Sequence, residues 1–358
     1  MGVRGGALGL LALVLLTGWN VPDPSDAERL RALYSGPVST WPAPTIDDGI
    51  DFVEFGALEL KSVLDAGKAA LGRRLFHDPT LSRTGDKACA SCHDANLGWS
   101  DGRPVAAGMD PARGARNVPS LFSAAYRREW GWDGRGSSLA TQSLRPLTHP
   151  DEMANADVAS VVSRLGESEA YRSSFAAIYG DPTITADRLA DALAAFQSGL
   201  EEPTRFDAFL RGDSASLSDQ EIRGLHLFRT KARCANCHIG PLLTDERFHN
   251  LGLSAFREKS QDLGRHLVTG RPEHAGQFRT PSLRHVARTA PYMHSGLFAS
   301  LAGVVNFYAR GGGDVWARNA REAQAPLYRE AARIATPIRP LDLDTGERAA
   351  LVAFLNAI

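Results

Sequence analysis

Apolar side chains along this chain recur mostly three and four residues apart, the spacing that lays them on one face of a helix. Val158, Val161, Val162 and Leu165 form one such stripe, and Leu189, Leu193 and Phe196 form another. Leu301, Val304, Val305 and Tyr308 fall at i, i+3, i+4 and i+7, with Ser300 ahead of them as an N-cap and Gly311, Gly312 and Gly313 beyond them to stop the helix. Ser218 and Glu221 make a capping box in front of Leu225 and Phe228. Residues 345–358, with Leu351, Phe354 and Leu355, read as a closing helix. Strand-like alternation is scarce, so the predicted class is all-α. Residues 22–44 are rich in proline, which predicts an extended leader.

The pattern repeats. Gly72-Arg-Arg-Leu-Phe76 and Gly224-Leu-His-Leu-Phe228 each read as the last turn of a helix that feeds a cysteine-bearing loop. Downstream, Asn117-Val-Pro119-Ser120-Leu121 matches Arg279-Thr-Pro281-Ser282-Leu283. Thirteen residues after each of those prolines stand Trp132-Asp-Gly134 and His294-Ser-Gly296, and Ser138-Leu139 then aligns with Ser300-Leu301. A gapless match of this kind predicts an internal duplication. The expected domains are 58–205 and 206–358, after a leader over 26–57.

A chain of 358 residues suits two domains of ordinary size. The formal net charge of −1 offers no basic field, so no nucleic acid is expected as a partner. Residues 1–25 pair Arg4 with a short apolar run, a signal-peptide pattern that places the mature protein in a periplasm. All four cysteines fall in two copies of C-x-x-C-H: Cys89-Ala-Ser-Cys92-His93 and Cys234-Ala-Asn-Cys237-His238. This is the attachment signature of c-type haem, in which two thiols bind the porphyrin and the adjacent histidine becomes an axial ligand. Two covalently bound haem c groups, in two cytochrome c-like domains, are therefore expected. A zinc site or two short disulfides could use the same cysteines, but neither explains a histidine after each second one.

Residues 291–313 hold three side chains able to close the second haem: Met293, His294 and Tyr308. Periodicity alone favours reading Tyr308 as an ordinary buried tyrosine with a bonded hydroxyl over reading it as a ligand. The repeat carries Tyr308 onto Pro146 and Val304 onto Gln142. Proline cannot bind iron. If this position faces the metal, the first haem has an open face beside an amide, and the second is closed by a phenol oxygen.

Taken together, these motifs make the chain resemble the bacterial di-haem cytochrome c peroxidases, and among them the MauG-like branch. The likeness spans about residues 58–355. It rests on LGRRLFHDPTLSRTGDKACASCH, WDGR at 132–135, GLHLFRTKARCANCHIGPLLTDERFHNLGL and FRTPSLRHVARTAPYMHSG. In that family the N-terminal haem meets peroxide and the C-terminal haem receives electrons. The resemblance places the second axial ligand fourteen residues after His294, at Tyr308, where most members have methionine. A phenolate favours oxidised iron and methionine raises the potential, so this haem should resist reduction. Met109 falls where a loop histidine can occupy the first iron in other members. Packing on apolar surface is expected of it instead, leaving that iron five-coordinate or water-bound.

The resemblance further implies Glu152 as the acid–base carboxylate, Gln142 as a distal amide and Trp132 as the indole between the haems. It also implies a calcium ion held by the Asn117 side chain and the carbonyls of Thr289 and Pro291. The expected activity is reduction of hydrogen peroxide to water at the first haem. Electrons would come through the second haem from a small periplasmic donor, a cytochrome c or a cupredoxin. One alternative is a MauG-like oxidase acting on residues of a protein substrate. Another is a non-catalytic electron-transfer cytochrome, which needs both irons six-coordinate. Members of the family are often homodimers, and the residues read here leave the oligomeric state of this chain open. The tryptophan with which the well-known MauG oxidises its partner, two residues before the second C-x-x-C-H, is Ala232 here, which argues against maturation of a tryptophan-derived quinone.

Overall fold

A computed structural model describes residues 24–107 and 116–358. The expected signal peptide falls almost wholly before residue 24, and Met109 within 108–115, so both lie outside the described residues. The helices are α1 Pro24–Tyr34, α2 Ala66–Phe76, α3 Leu139–Thr148, α4 Val158–Gly166, α5 Glu169–Tyr179, α6 Ala186–Gln197 and α7 Arg205–Leu210. They continue with α8 Asp219–Arg229, α9 His266–Thr269, α10 Leu301–Ala309, α11 Ala320–Ala323, α12 Tyr328–Ala331 and α13 Thr345–Leu355. Strands β1 Phe248–Asn250 and β2 Gln277–Arg279 pair antiparallel, with Phe248 opposite Arg279. The helix-rich class read from the apolar stripes stands, and this short ribbon is the exception to it.

Two cores form around two helix pairs. Leu75, Phe76, Leu165, Phe175, Leu189 and Leu193 surround the contact of α2 with α6, and Leu225, Phe228, Leu351 and Phe354 surround that of α8 with α13. Glycine makes both crossings possible. A Cβ on Gly72 would lie 1.9 Å from Ala192 O, and one on Gly224 would lie 2.0 Å from Ala350 O. Neither neighbour is a side chain that could swing away. Gly72→Ala or Gly224→Ala must push the helices apart, at a cost of about 1–3 kcal/mol or more. The expected result is a thermal midpoint several degrees lower, with loss of folded protein as the severe limit.

The leader is not an extended arm, contrary to its proline content. Pro24 occupies the first position of α1, where a missing N–H costs nothing. Arg31 ties that helix to α8 through Asp219 (2.5 Å) and to the preceding turn through Leu217 O (2.9 Å). Tyr34, Trp41 and Phe55 then enter the α8/α13 core, so burial of three aromatic rings overrides the extended preference.

A buried ionic cluster joins these parts. Arg284 donates to Glu201 Oε1 (2.5 Å) and to both oxygens of Asp207 (3.0 and 2.7 Å). Asp207 also accepts from Leu58 N (2.9 Å), and Glu201 from Ser123 N (2.6 Å). Burial pushes the Asp207 carboxyl up, but Arg284 and the backbone amides outweigh it and hold the group at about 2. A carboxylate lowered on folding stabilises the protein above its ordinary value near 3.8, and that contribution is lost as pH falls towards 2. In acid titrations, Asp207→Asn should remove part of the stability lost between those values.

Candidate active site

Each C-x-x-C-H lies in a 3₁₀ turn that follows a core helix: Cys89–Ser91 after α2, and Cys234–Asn236 after α8. His93 Nδ1 bonds Trp99 O at 2.8 Å, and His238 Nδ1 bonds Leu243 O at 2.9 Å. Donation from Nδ1 to a carbonyl fixes the tautomer that leaves Nε2 with a free lone pair, as an axial ligand requires. Burial pushes both imidazoles down, so they stay neutral, and raises the Cys89 and Cys234 thiols to about 12. No disulfide joins the four cysteines, and among the described residues their sulfurs do not gather into one metal-binding cluster.

At the second site, Cys234, Cys237, His238 and Tyr308 line one large, mostly apolar cavity with Val304, Val305 and Leu351. Tyr308 comes from the side of α10 that carries Leu301, Val304 and Val305 to the cavity, as the periodicity predicts. Its hydroxyl makes no hydrogen bond with another described residue, unlike an ordinary buried tyrosine. Burial, then the charges of Cys237 and Cys234, push it well above the usual phenol range, so without a metal it stays protonated. Met293 and His294 border the same cavity, with His294 stacked on Phe278 at 3.6 Å between ring centres.

The cavity wall also supplies cations. Arg127 Nε and Arg233 Nε are buried without a partner, and both side chains line the cavity. Burial and the nearby Arg279 charge lower Arg127 to about 9. Arg233 pairs with Asp47 through Nη2, and Arg127 Nη2 donates to Ser120 O and Phe122 O, so the buried donors left over among the described residues are the two Nε groups. Beside an apolar slot with a histidine and two thiols they suit a flat apolar group that carries carboxylates, which describes haem. Arg233 adjoins the second C-x-x-C-H in sequence, but nothing in the chain pattern marks Arg127.

At the first site, Phe76, Trp99 and Phe196 pack edge-on near His93. Helix α3 carries Gln142 and, one turn later, Pro146, and Glu152 follows in the turn after it. Arg145 Nη1 lies 3.5 Å from Gln142 Oε1, and His149 Nδ1 lies 3.6 Å from Glu152 Oε1. Burial chiefly raises the Cys89 and Cys92 thiols, and the Glu152 charge adds to it, which sets the carboxylate in the neighbourhood of the first attachment site. Burial raises Glu152 above the ordinary carboxylate range, against the pull of His149 and Arg145.

Trp132 sits between the two halves. Its indole donates to Asn117 O (2.9 Å), its carbonyl accepts from Arg279 N (2.8 Å), and its ring lies 6.4 Å from that of His294. Asn117, Thr289 and Pro291 border the same cavity. Asn117 Nδ2 donates to Arg103 O (2.8 Å), while Asn117 Oδ1 and the carbonyls of Thr289 and Pro291 accept no bond from another described residue.

The fold and the paired histidine–cysteine sites define a helical protein built to hold two covalent haems. Residues 66–215 match the family model described as di-haem cytochrome c peroxidase. The chain is 39% identical to the methylamine utilization protein MauG of Methylophilus methylotrophus, over 70% of this chain and 74% of that protein. It is 36% identical to the cytochrome c peroxidase Ccp of Escherichia coli, over 69% of this chain and 54% of that one. Among solved structures, a MauG-like protein associated with microbial copper homeostasis superposes with a TM-score of 0.71 at 32% identity, covering 87% of this chain and 94% of its own. The diheme peroxidase BthA of Burkholderia thailandensis gives 0.67 at 27%, covering 88% and 93%. The chain belongs to the di-haem cytochrome c peroxidase and MauG family, and membership implies two covalently bound haem c groups.

Proposed function

We propose that the protein is a periplasmic di-haem peroxidase, in which hydrogen peroxide is reduced to water at the N-terminal site and electrons arrive through the C-terminal site. The observation that carries this reading is the inequality of the two distal faces. Tyr308 lines the cavity of His238, and its counterpart on α3 is Pro146, which has no donor atom. Bound haem iron supplies the redox chemistry and the electrophilic site for peroxide. The residues supply the rest. His93 and His238 would hold the two irons through ring nitrogens, Cys89, Cys92, Cys234 and Cys237 would form the thioether links, and Tyr308 would offer a hard oxygen ligand. Glu152 takes a proton from one peroxide oxygen and returns it to the other, and Gln142 orients the peroxide. Each peroxide takes up two electrons and two protons and yields two waters. Trp132, placed between the halves, carries charge from one site to the other.

The matching bonds in the two halves support an internal duplication with domains at 58–205 and 206–358. The free oxygens of Asn117, Thr289 and Pro291 support a calcium ion at the junction. Removal of calcium by a chelator should lower the thermal midpoint and slow peroxide turnover, and readdition should restore both. Tyr308 also favours a second reading, oxidation of residues in a protein substrate by stored oxidising equivalents. Steady-state assay separates the two. A peroxidase consumes two equivalents of a reduced cytochrome c or cupredoxin per peroxide, and failure to oxidise any such donor would remove the first reading.

A further inference from the structure

The loops that follow the two haem histidines are built alike, down to single hydrogen bonds. Ser100 Oγ donates to Val118 O at 2.8 Å, and Thr244 Oγ1 to Thr280 O at 2.7 Å. Asp101 Oδ1 accepts from Arg103 N at 3.0 Å, and Asp245 Oδ1 from Arg247 N at 2.9 Å. Trp99 and Leu243 share the left-handed backbone conformation, as do Gly102 and Glu246. The loops part company at the second carboxylate oxygen. Asp245 Oδ2 accepts from His249 Nε2 at 2.7 Å. The residue matching His249 in the first loop is Val105, and Asp101 Oδ2 is buried without a partner among the described residues.

A buried carboxylate oxygen without a partner is costly and calls for an explanation. We propose that the unpartnered Asp101 carboxylate lowers the reduction potential of the first haem, and that His249 offsets the equivalent carboxylate of Asp245 at the second. The loop geometry supports this. Asp101 stands two residues after Trp99, whose carbonyl holds His93 Nδ1 at 2.8 Å, and Asp245 stands two residues after Leu243, whose carbonyl holds His238 Nδ1 at 2.9 Å. A nearby negative charge favours the iron state of higher positive charge. The first haem lacks an anionic distal ligand of the kind Tyr308 offers the second, so Asp101 brings the two potentials closer together. The inference rests on haem attachment at both motifs and not on which substrate is oxidised.

Spectroelectrochemical titration of the holoprotein tests it, because the readout is a potential and not turnover. Asp101→Asn should raise the potential of the first haem and leave that of the second in place. His249→Gln should lower the potential of the second alone. Val105→His, which restores the missing partner while keeping the carboxylate, should raise the first potential in the same direction as Asp101→Asn. This third variant keeps the test decisive if Asp101→Asn fails to take up haem. An unchanged first potential in both first-loop variants would overturn the assignment, and so would equal shifts of both haems. A first potential that follows calcium removal in the wild type but not in Asp101→Asn would also overturn it, by making Asp101 a ligand of that ion.

Discussion

Glu152→Gln is expected to slow the peroxide-driven change in the haem spectrum by about 100- to 10,000-fold, the usual value of a positioned acid–base group. The resting spectrum should stay as it is, because Glu152 is not placed as an axial ligand. Glutamine keeps the shape and loses the proton carrier. The same group sets a pH dependence. Burial raises Glu152, so the reaction should fall away on acidification at a pH above the ordinary carboxylate value of 4.5. In Glu152→Gln that acid limb should vanish with the activity, as stopped-flow mixing across pH would show. Normal turnover in this variant would move the proton-transfer role to another group.

Tyr308→Met is expected to raise the reduction potential of the second haem markedly, so that mild reductants reduce it before the first. A phenolate is a hard anion that favours oxidised iron, and a thioether is a neutral soft donor that favours reduced iron. A protonated phenol buried as deeply as Tyr308 gives up its proton only to a strong electrophile, so metal binding and deprotonation are coupled. Separate potentials for the two haems, measured in wild type and variant, check this. Equal potentials in both proteins would exclude Tyr308 as a ligand.

Much of this was legible in the chain because it rests on local chemistry. The C-x-x-C-H spacing names its own cofactor. The phase of Leu301, Val304, Val305 and Tyr308 places the phenol on one face of α10 with those residues, and in the structure all four line the cavity. The match of Gly72 with Gly224 marked two equivalent helices, though only the structure gives the reason, a carbonyl oxygen at the Cβ position. What the sequence hid depends on long-range packing. The leader reads as extended from its prolines, yet Tyr34, Trp41 and Phe55 are drawn into the second core. The cluster of Glu201, Asp207, Arg284 and His285 has no local signature, because its members are brought together by the docking of both halves. Arg127 escaped notice for the same reason. Its meaning comes from an unpaired Nε beside a cavity that no window of sequence contains.

The central claim is that the two haems differ, one open to peroxide and one closed by Tyr308. Electron paramagnetic resonance of the fully oxidised protein, repeated after one equivalent of hydrogen peroxide without any donor, tests it most directly. One high-spin and one low-spin ferric signal are expected at rest, both diminished by peroxide. Two low-spin signals that peroxide leaves unchanged would contradict it.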